Sequence, residues 1–212
     1  MKLLLLLPLL FLASTLSGQS PKYSYEPFFS FDNTSGSKSV INPDNFGFTV
    51  GYKESNYTAG LNIRRAISNK LSIVSGLNYL KQEISKSLIC PVCDFSIDAL
   101  PLQESQRYLQ IPIGAAYTVG KKRFRTEFEL GIFNNLLVSG SSKDILGNES
   151  PKGYYLSRYL GGKVRYQFTK PLDFFLGYRG IRNITSPFST EFALKSNSLV
   201  LGVAISIGSS SS

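Results

Sequence analysis

Apolar side chains recur at every second position in one stretch of this sequence after another. Residues Phe124–Ile132 carry them mostly at even positions, and Leu199–Ile207 carry them at odd positions. A helix would repeat them every three to four residues, whereas alternation places them on one face of a strand. The pattern predicts an all-β chain with strands at residues 46–53, 57–67, 71–84, 107–119, 123–138, 155–168, 172–184 and 198–207.

The connections between these strands alternate in length. Residues 68–70, 120–122 and 169–171 are short polar turns, whereas longer polar segments connect the strands elsewhere, at 86–105, 140–153 and 186–196. Short turns at one end and long loops at the other are typical of membrane barrels. The strands also exceed the usual length of about 5–6 residues and match the roughly 9–11 that cross a bilayer. The predicted fold is an eight-stranded antiparallel up-and-down transmembrane β-barrel.

The composition of the two strand faces indicates which of them points outward. The face opposite the apolar one carries charged residues and many glycines, among them Gly60, Gly114, Gly131, Gly161, Gly177 and Gly202. Small residues suit the crowded lumen of a small barrel, so the apolar face is predicted to meet lipid. The alternative is a soluble lipocalin-like binder, in which apolar side chains would point inward and hold an apolar ligand.

The first strand has two possible positions, because Tyr25–Phe31 makes a ninth candidate and a bacterial barrel needs an even number. In one interpretation, residues 46–53 are the first strand and residues 20–45 lie in the periplasm. In the other, 25–31 is the first strand and 32–56 forms a long structured outer loop. The cleaner alternation of 46–53 favours the former and a barrel over 46–208, followed by a serine tail at 209–212.

The N-terminus has the features of a secretory signal. Lys2 precedes an apolar run of leucines that ends in small and polar residues, which predicts a signal peptide over residues 1–19 with cleavage near Gly18. We therefore expect export, and a location in the outer membrane of a Gram-negative bacterium. The expected partners are outer-membrane lipid, possible lipopolysaccharide contacts at lysines such as Lys195, periplasmic chaperones and the barrel-assembly machinery.

Composition excludes much of the usual chemistry. The chain has no histidine, one methionine and two cysteines, which removes His-based triads, His-ligated metals and iron–sulfur clusters. We predict no enzyme activity, no cofactor and no metal. The net charge of +9 is scattered along the strands rather than interleaved with aromatic residues, so nucleic-acid binding is not expected. Cys90 and Cys93 are predicted to form a loop disulfide, as suits an oxidising compartment.

Charged residues on the predicted inward face form the candidate site: Arg125, Glu127, Glu129, Lys163, Arg165, Asp173 and Arg179. Buried charges require partners, and we expect the two glutamates to pair with Lys163 and Arg165 on the neighbouring strand. The interpretation is a plugged lumen in a protein with a structural or surface-interaction role. The alternative is a narrow channel for small solutes or ions.

Several segments resemble a known family, the porin-like outer-membrane β-barrel domain family sometimes called PorT-like. They are Tyr57–Ile63, Leu71–Tyr79, Tyr108–Ile113, Glu129–Gly131 and Leu199–Ala204, with the Tyr-Leu-Gln-Ile-Pro run at 108–112 the most specific. The resemblance spans about residues 45–208. It implies a barrel architecture and an outer-membrane location, and it assigns no defined activity.

Overall fold

The computed structural model describes residues 23–35, 38–41, 47–52, 56–89, 102–120, 123–140, 151–187 and 194–207. Side chains are described in 23–35, 56–83, 105–120, 123–140, 151–187 and 194–207. The predicted signal peptide at 1–19, the Cys90–Cys93 pair and the serine tail at 209–212 lie outside these residues, and they stay predictions.

The described residues form β-strands joined by turns and contain no α-helix. The strands are β1 Tyr23–Ser35, β2 Lys38–Ile41, β3 Gly47–Tyr52, β4 Asn56–Ala66, β5 Leu71–Ile89, β6 Leu102–Val119, β7 Phe124–Gly140, β8 Tyr154–Thr169, β9 Leu172–Asn183 and β10 Lys195–Ile207. In this part of the chain, no helix has the length and apolar character needed to span a membrane.

Eight of these strands close into a ring. Its order is β1-β4-β5-β6-β7-β8-β9-β10, and every neighbouring pair is antiparallel. The ring closes because β10 pairs with β1 from Tyr23 opposite Ile207 to Ser35 opposite Lys195. This arrangement confirms the predicted eight-stranded antiparallel up-and-down barrel.

The favoured position of the first strand was wrong. β1 starts at Tyr23 and pairs with both β4 and β10, so the barrel begins there and not at residue 46. Residues 47–52 form the short strand β3 outside the ring. The inward face of β1 mixes Glu26 with Phe28 and Ser30, and this mixture of charged, apolar and hydroxyl side chains weakens the alternation that sequence reasoning relies on.

Strands β2 and β3 form a hairpin that pairs with the far end of β5. Gly47–Tyr52 lies opposite Ile84–Ile89, and β2 pairs only with β3. The predicted loop over 86–105 is therefore strand at both flanks, since β5 runs to Ile89 and β6 starts at Leu102. At this end of the molecule the sheet continues past the closed ring.

The short connections all lie at the other end, together with Tyr23 and Ile207. The amides of Ile67 and Ser68 donate hydrogen bonds to the carbonyl of Leu71, at 2.9 and 3.1 Å, and so close the β4–β5 turn. Gly120, at the end of β6, has a φ of 108°, a backbone conformation that residues other than glycine rarely adopt. We call this the short-turn end and the opposite one the long-loop end.

The apolar face of the strands points outward. Phe128, Val164 and Leu201 are 56%, 51% and 42% exposed. A lipocalin-like binder requires these side chains to meet one another in a dry centre, so that alternative is wrong. The inward positions are buried and largely polar, as the glycine and charge pattern predicts.

The outward face is divided into zones along the barrel axis. Among the described strand residues, its charged side chains lie only near the two ends: Arg65 near the short turns, and Lys81, Glu83, Arg107, Arg158, Arg182 and Lys195 near the long loops. Between them lies an apolar band. Aromatic rings concentrate towards the edges of this band. The ring centroids of Phe124 and Tyr166 are 4.9 Å apart at the short-turn end, and those of Tyr57 and Tyr79 are 6.4 Å apart near the long-loop end.

Candidate functional site

Strands β7 and β8 bring opposite charges together inside the barrel. Glu127 lies directly opposite Lys163, and Arg125 lies opposite Arg165. Because these positions alternate with outward apolar residues, their side chains point into the lumen. Glu127, Lys163 and Arg165 are buried accordingly.

Two further charged residues, which sequence reasoning left out, complete the site. Glu26 on β1 is fully buried, and Arg64 on β4 is 6% exposed. The signal for Arg64 was available, since it shares the inward face of its strand with Gly60 and Asn62. Glu26 was missed because β1 had been assigned to the periplasm. Together with the seven predicted residues they form what we call the charge cluster.

Glu26 occupies the centre of the charge cluster. Its Oε1 accepts from Arg64 Nε at 2.7 Å, its Oε2 accepts from Lys163 Nζ at 2.9 Å, and Arg165 contacts it as well. One carboxylate therefore faces three cations. Because all four side chains are buried, these contacts replace the hydration that each ion loses on burial.

Glu127 and Glu129 share the same two cations. Arg64 Nη2 lies 2.5 Å from Glu127 Oε1 and 2.7 Å from Glu129 Oε1. Lys163 Nζ lies 3.1 and 2.7 Å from those same oxygens. Arg165 Nε adds a contact of 3.0 Å to Glu127. The structure thus pairs both glutamates with Lys163 and pairs Glu127 with Arg165.

The remaining members of the charge cluster lie at its edges. Arg125 contacts Asp173 at 2.5 Å, and Arg165 approaches the same carboxylate at 3.8 Å. Arg179 lies 3.6 Å from Glu129. Arg125 is the least buried of the set, with 31% of its side chain exposed. All seven predicted residues therefore belong to one connected network.

The charge cluster crosses the lumen rather than lining one wall. Glu26 on β1 reaches Lys163 and Arg165 on β8, although β9 and β10 separate these strands in the ring. Arg64 on β4 reaches Glu127 on β7 past β5 and β6. A barrel of eight strands is just wide enough for side chains to fill it, and here ion pairs span that width.

An aromatic layer covers the charge cluster on the side of the long loops. It consists of Phe28, Phe133 and Tyr159, whereas Phe175 lies within the charge cluster, directly opposite Arg165; all four rings are buried. Phe133 and Tyr159 stack with ring centroids 4.4 Å apart. The Arg179 guanidinium lies 5.0 Å from the Tyr159 centroid, and the Lys163 ammonium lies 4.7 Å from the Phe175 centroid. These distances suit cation–π attraction, which links the rings to the charge cluster.

Two more layers follow towards the long loops. Gln110 Nε2 donates to Asn135 Oδ1 at 2.7 Å, and Asn135 Nδ2 donates to Ser157 Oγ at 3.0 Å. Next to these amides lies an apolar group of Leu80, Tyr108 and Tyr155, in which the two tyrosine rings meet edge-on at 5.1 Å. Side chains thus occupy the lumen at successive levels.

The free space beside the charge cluster is small. A cavity of about 10 Å³ lies between Glu129, Lys163 and Arg179, which leaves space for at most about one water molecule. Each carboxylate of the charge cluster is engaged by at least one cation within 4 Å. Chemically, the arrangement pairs four carboxylates with five cations and connects five strands of the ring across the lumen.

Comparison with known proteins supports the fold and gives no family. No protein-family model matches the sequence, and a comparison with curated proteins finds no match. Among solved structures, the chain is similar to the outer membrane protein OprG from Pseudomonas aeruginosa, with 11% identity, TM-score 0.59, and coverage of 90% of this chain and 97% of that one.

Two other outer-membrane barrels give the same result. AlkL in lipid bilayers matches with 11% identity and TM-score 0.57, covering 92% of this chain and 94% of its own. Neisserial surface protein A matches with 15% identity and TM-score 0.54, covering 89% and 99%. At such identities the likeness shows the eight-stranded barrel fold alone. The specific resemblance to the PorT-like family therefore stays a prediction.

Proposed function

We propose that this protein is a non-catalytic outer-membrane barrel whose lumen is plugged by side chains and whose role is structural or in surface interaction. The charge cluster is the observation that carries the proposal, because its ion pairs bridge strands on opposite sides of the lumen. The outward apolar band supports membrane insertion. Its side chains give up no hydrogen bonds to water when they enter lipid, and membrane barrels present such a band to the bilayer.

The short-turn end is assigned to the periplasm and the long-loop end to the cell surface. Membrane barrels place short turns on the periplasmic side, and both Tyr23 and Ile207 lie at this end here. The strands β5, β6 and β7 are 19, 18 and 17 residues long, more than the roughly 9–11 that a bilayer requires. Their excess length extends beyond the membrane and presents the β2–β3 hairpin outside.

The plug makes the purified barrel non-conducting. In planar bilayers we expect no discrete conductance steps from the wild-type protein, because charged, aromatic, amide and apolar levels follow one another along the lumen. Discrete steps from wild-type protein would contradict the plug and favour the channel.

A variant that removes one large side chain from each of three levels tests whether these side chains are what blocks conductance. The triple substitution Arg64→Ala, Tyr159→Ala and Tyr108→Ala is expected to produce conductance steps, since water can enter the vacated space. The matched control is Arg65→Ala, Tyr166→Ala and Tyr117→Ala, which removes the same residue types from the outward face and should stay silent. Heat-dependent gel migration verifies that both variants are folded.

One observation favours the channel as second candidate. Asn62 Oδ1, both amide atoms of Asn78 and Gln106 Nε2 are buried and make no hydrogen bond within the described residues. Buried amides of this kind are usually satisfied by water, which would make this part of the lumen wet. The same conductance measurement decides between the two functions.

A further inference from the structure

Three cations form a continuous row on the outward surface of the barrel at the long-loop end. Arg182 on β9 lies directly opposite Arg158 on β8 and directly opposite Lys195 on β10. All three side chains are exposed. Like charges placed opposite each other on neighbouring strands destabilise a sheet. Among the described residues, none of the three has an acidic partner within salt-bridge distance, so the row lacks a counter-charge there.

A depression lies on the same wall, next to the row. It measures about 390 Å³ and is lined by Phe31, Asp32, Asn33, Tyr178, Asn197 and Leu199. Asn197 is opposite both Asn33 and Gly180 and is two residues from Lys195. At Gly180 a Cβ would have no neighbour nearer than 3.8 Å, so the missing side chain leaves this space open.

The depression changes in polarity along the barrel axis. The two asparagine side chains lie beside the cations, whereas Tyr178 and Leu199 lie further into the apolar band and are opposite each other. The carboxylate of Asp32 points away from it, since it accepts hydrogen bonds inside the barrel from Ser30 and Thr58 at 2.9 and 2.5 Å. Cations, amides and apolar side chains therefore follow one another towards the membrane centre.

We infer that this wall binds a phosphorylated glycolipid of the outer leaflet, an inference that rests on the proposed placement in the outer membrane. The row of cations spans two strand spacings, about 10 Å, and carries three positive charges. Phosphate monoesters carry about −1.5 to −2 charges each, so two of them match the row better than one phosphodiester. The asparagine amides face sugar hydroxyls, and the acyl chains lie along Tyr178 and Leu199.

Native mass spectrometry of the folded barrel in detergent micelles tests this site, with diphosphorylated lipid A as the probe. We expect one lipid A to remain bound to the wild-type protein. The triple substitution Arg158→Ala, Arg182→Ala and Lys195→Ala should weaken binding roughly a hundredfold, since each cation near a charged lipid surface contributes roughly a factor of five. The control Arg65→Ala, Lys70→Ala and Arg123→Ala removes equal charge at the short-turn end and should bind as the wild type does.

Two further arms separate the possible ligands. Substituting Asn197→Leu removes an amide from the depression while keeping the cations, and it should also weaken lipid A binding. Equal retention of lipid A and of its fully dephosphorylated form would overturn the assignment, as would displacement of lipid A by millimolar inorganic phosphate. Loss of binding in the short-turn control would likewise overturn it, because total charge would then be the cause.

The outcome is distinguishable from failure of the proposed function. All arms use barrels whose folding is verified by heat-dependent migration, and none of them depends on conductance. A folded, non-conducting barrel that retains no lipid A would refute the lipid site and leave the plugged barrel standing.

Discussion

Glu26 is the residue on which the charge cluster depends most, because its carboxylate contacts three cations. Replacing it by glutamine leaves Arg64, Lys163 and Arg165 with less counter-charge in a buried site. We expect Glu26→Gln to lower the free energy of unfolding by about 3–5 kcal/mol, the usual cost of removing one partner of a buried ion pair. Urea titration of the barrel in lipid vesicles measures this change.

The control is the same substitution on the outward face. Glu83 contacts Lys81 at 2.7 Å, with 27% of each side chain exposed, and such surface pairs contribute about 0–1 kcal/mol. Glu83→Gln should therefore change the free energy of unfolding little. Equal losses of unfolding free energy in the two variants would show that the inner ion pairs stabilise the barrel no more than a surface pair does.

Gly131 provides a second residue-scale prediction, because it leaves room for an aromatic ring. A Cβ there would lie 2.8 Å from Tyr159 Cζ and 2.5 Å from the Ile113 carbonyl oxygen. Gly131→Ala is expected to cost about 1–3 kcal/mol through overpacking. At Gly162, where the nearest atom would be 3.6 Å away, the same substitution should be tolerated. Comparing the urea midpoints of the two variants in vesicles checks this, and a larger loss at Gly162 would contradict it.

At the residue level, sequence reasoning found seven of the nine charges of the cluster but not the rings beside them. Period-two alternation assigns each side chain to a face, and this sufficed for Glu127, Lys163 and Arg179. Tyr159 and Phe175 share the inward face of their strands with Lys163 and Arg179, but alternation alone did not single them out, because it gives a face and no contacts. Their partners are set by the register between strands after the ring has closed, which one strand's sequence does not contain.

At the level of elements, the identity of the first strand is the point where sequence and structure differ. β3 alternates cleanly but is only six residues long, whereas β1 is 13 residues long and contains Pro27. The cleaner alternation of 46–53 favoured that segment over Tyr25–Phe31. Proline removes a backbone donor and is usually confined to strand edges and bulges, yet Pro27 lies within β1 opposite Leu61. Closure of the ring identifies the first strand, because β1 pairs with both β4 and β10.

Cysteine crosslinking tests this closure directly. Tyr25 lies opposite Ile205 across the β1–β10 seam, and both side chains point outward. In a background with Cys90→Ser and Cys93→Ser, the pair Tyr25→Cys and Ile205→Cys should form a disulfide on mild oxidation. The pair Phe48→Cys and Ile205→Cys, which joins the apolar face of β3 to β10, should not. A crosslink only in the second pair would return residues 46–53 to the barrel as its first strand.

At the scale of the whole molecule, inside and outside are distinguished by chemistry. Lipid requires an apolar exterior and a closed ring, because no water is present to satisfy an open sheet edge. The ring leaves no unpaired edge among its eight strands, and the outward charges lie near the ends of the barrel. The interior can then hold ions at the cost of pairing each of them, as the charge cluster does.

The most direct test of this account is where the protein is found and how it migrates. Outer-membrane fractionation of cells that express the full chain, followed by gel electrophoresis with and without heating, should find it in the urea-washed outer membrane. The unheated sample should migrate as a compact species that disappears on boiling. Recovery from the soluble periplasmic fraction, with one gel mobility at all temperatures, would contradict the assignment of the apolar face to lipid.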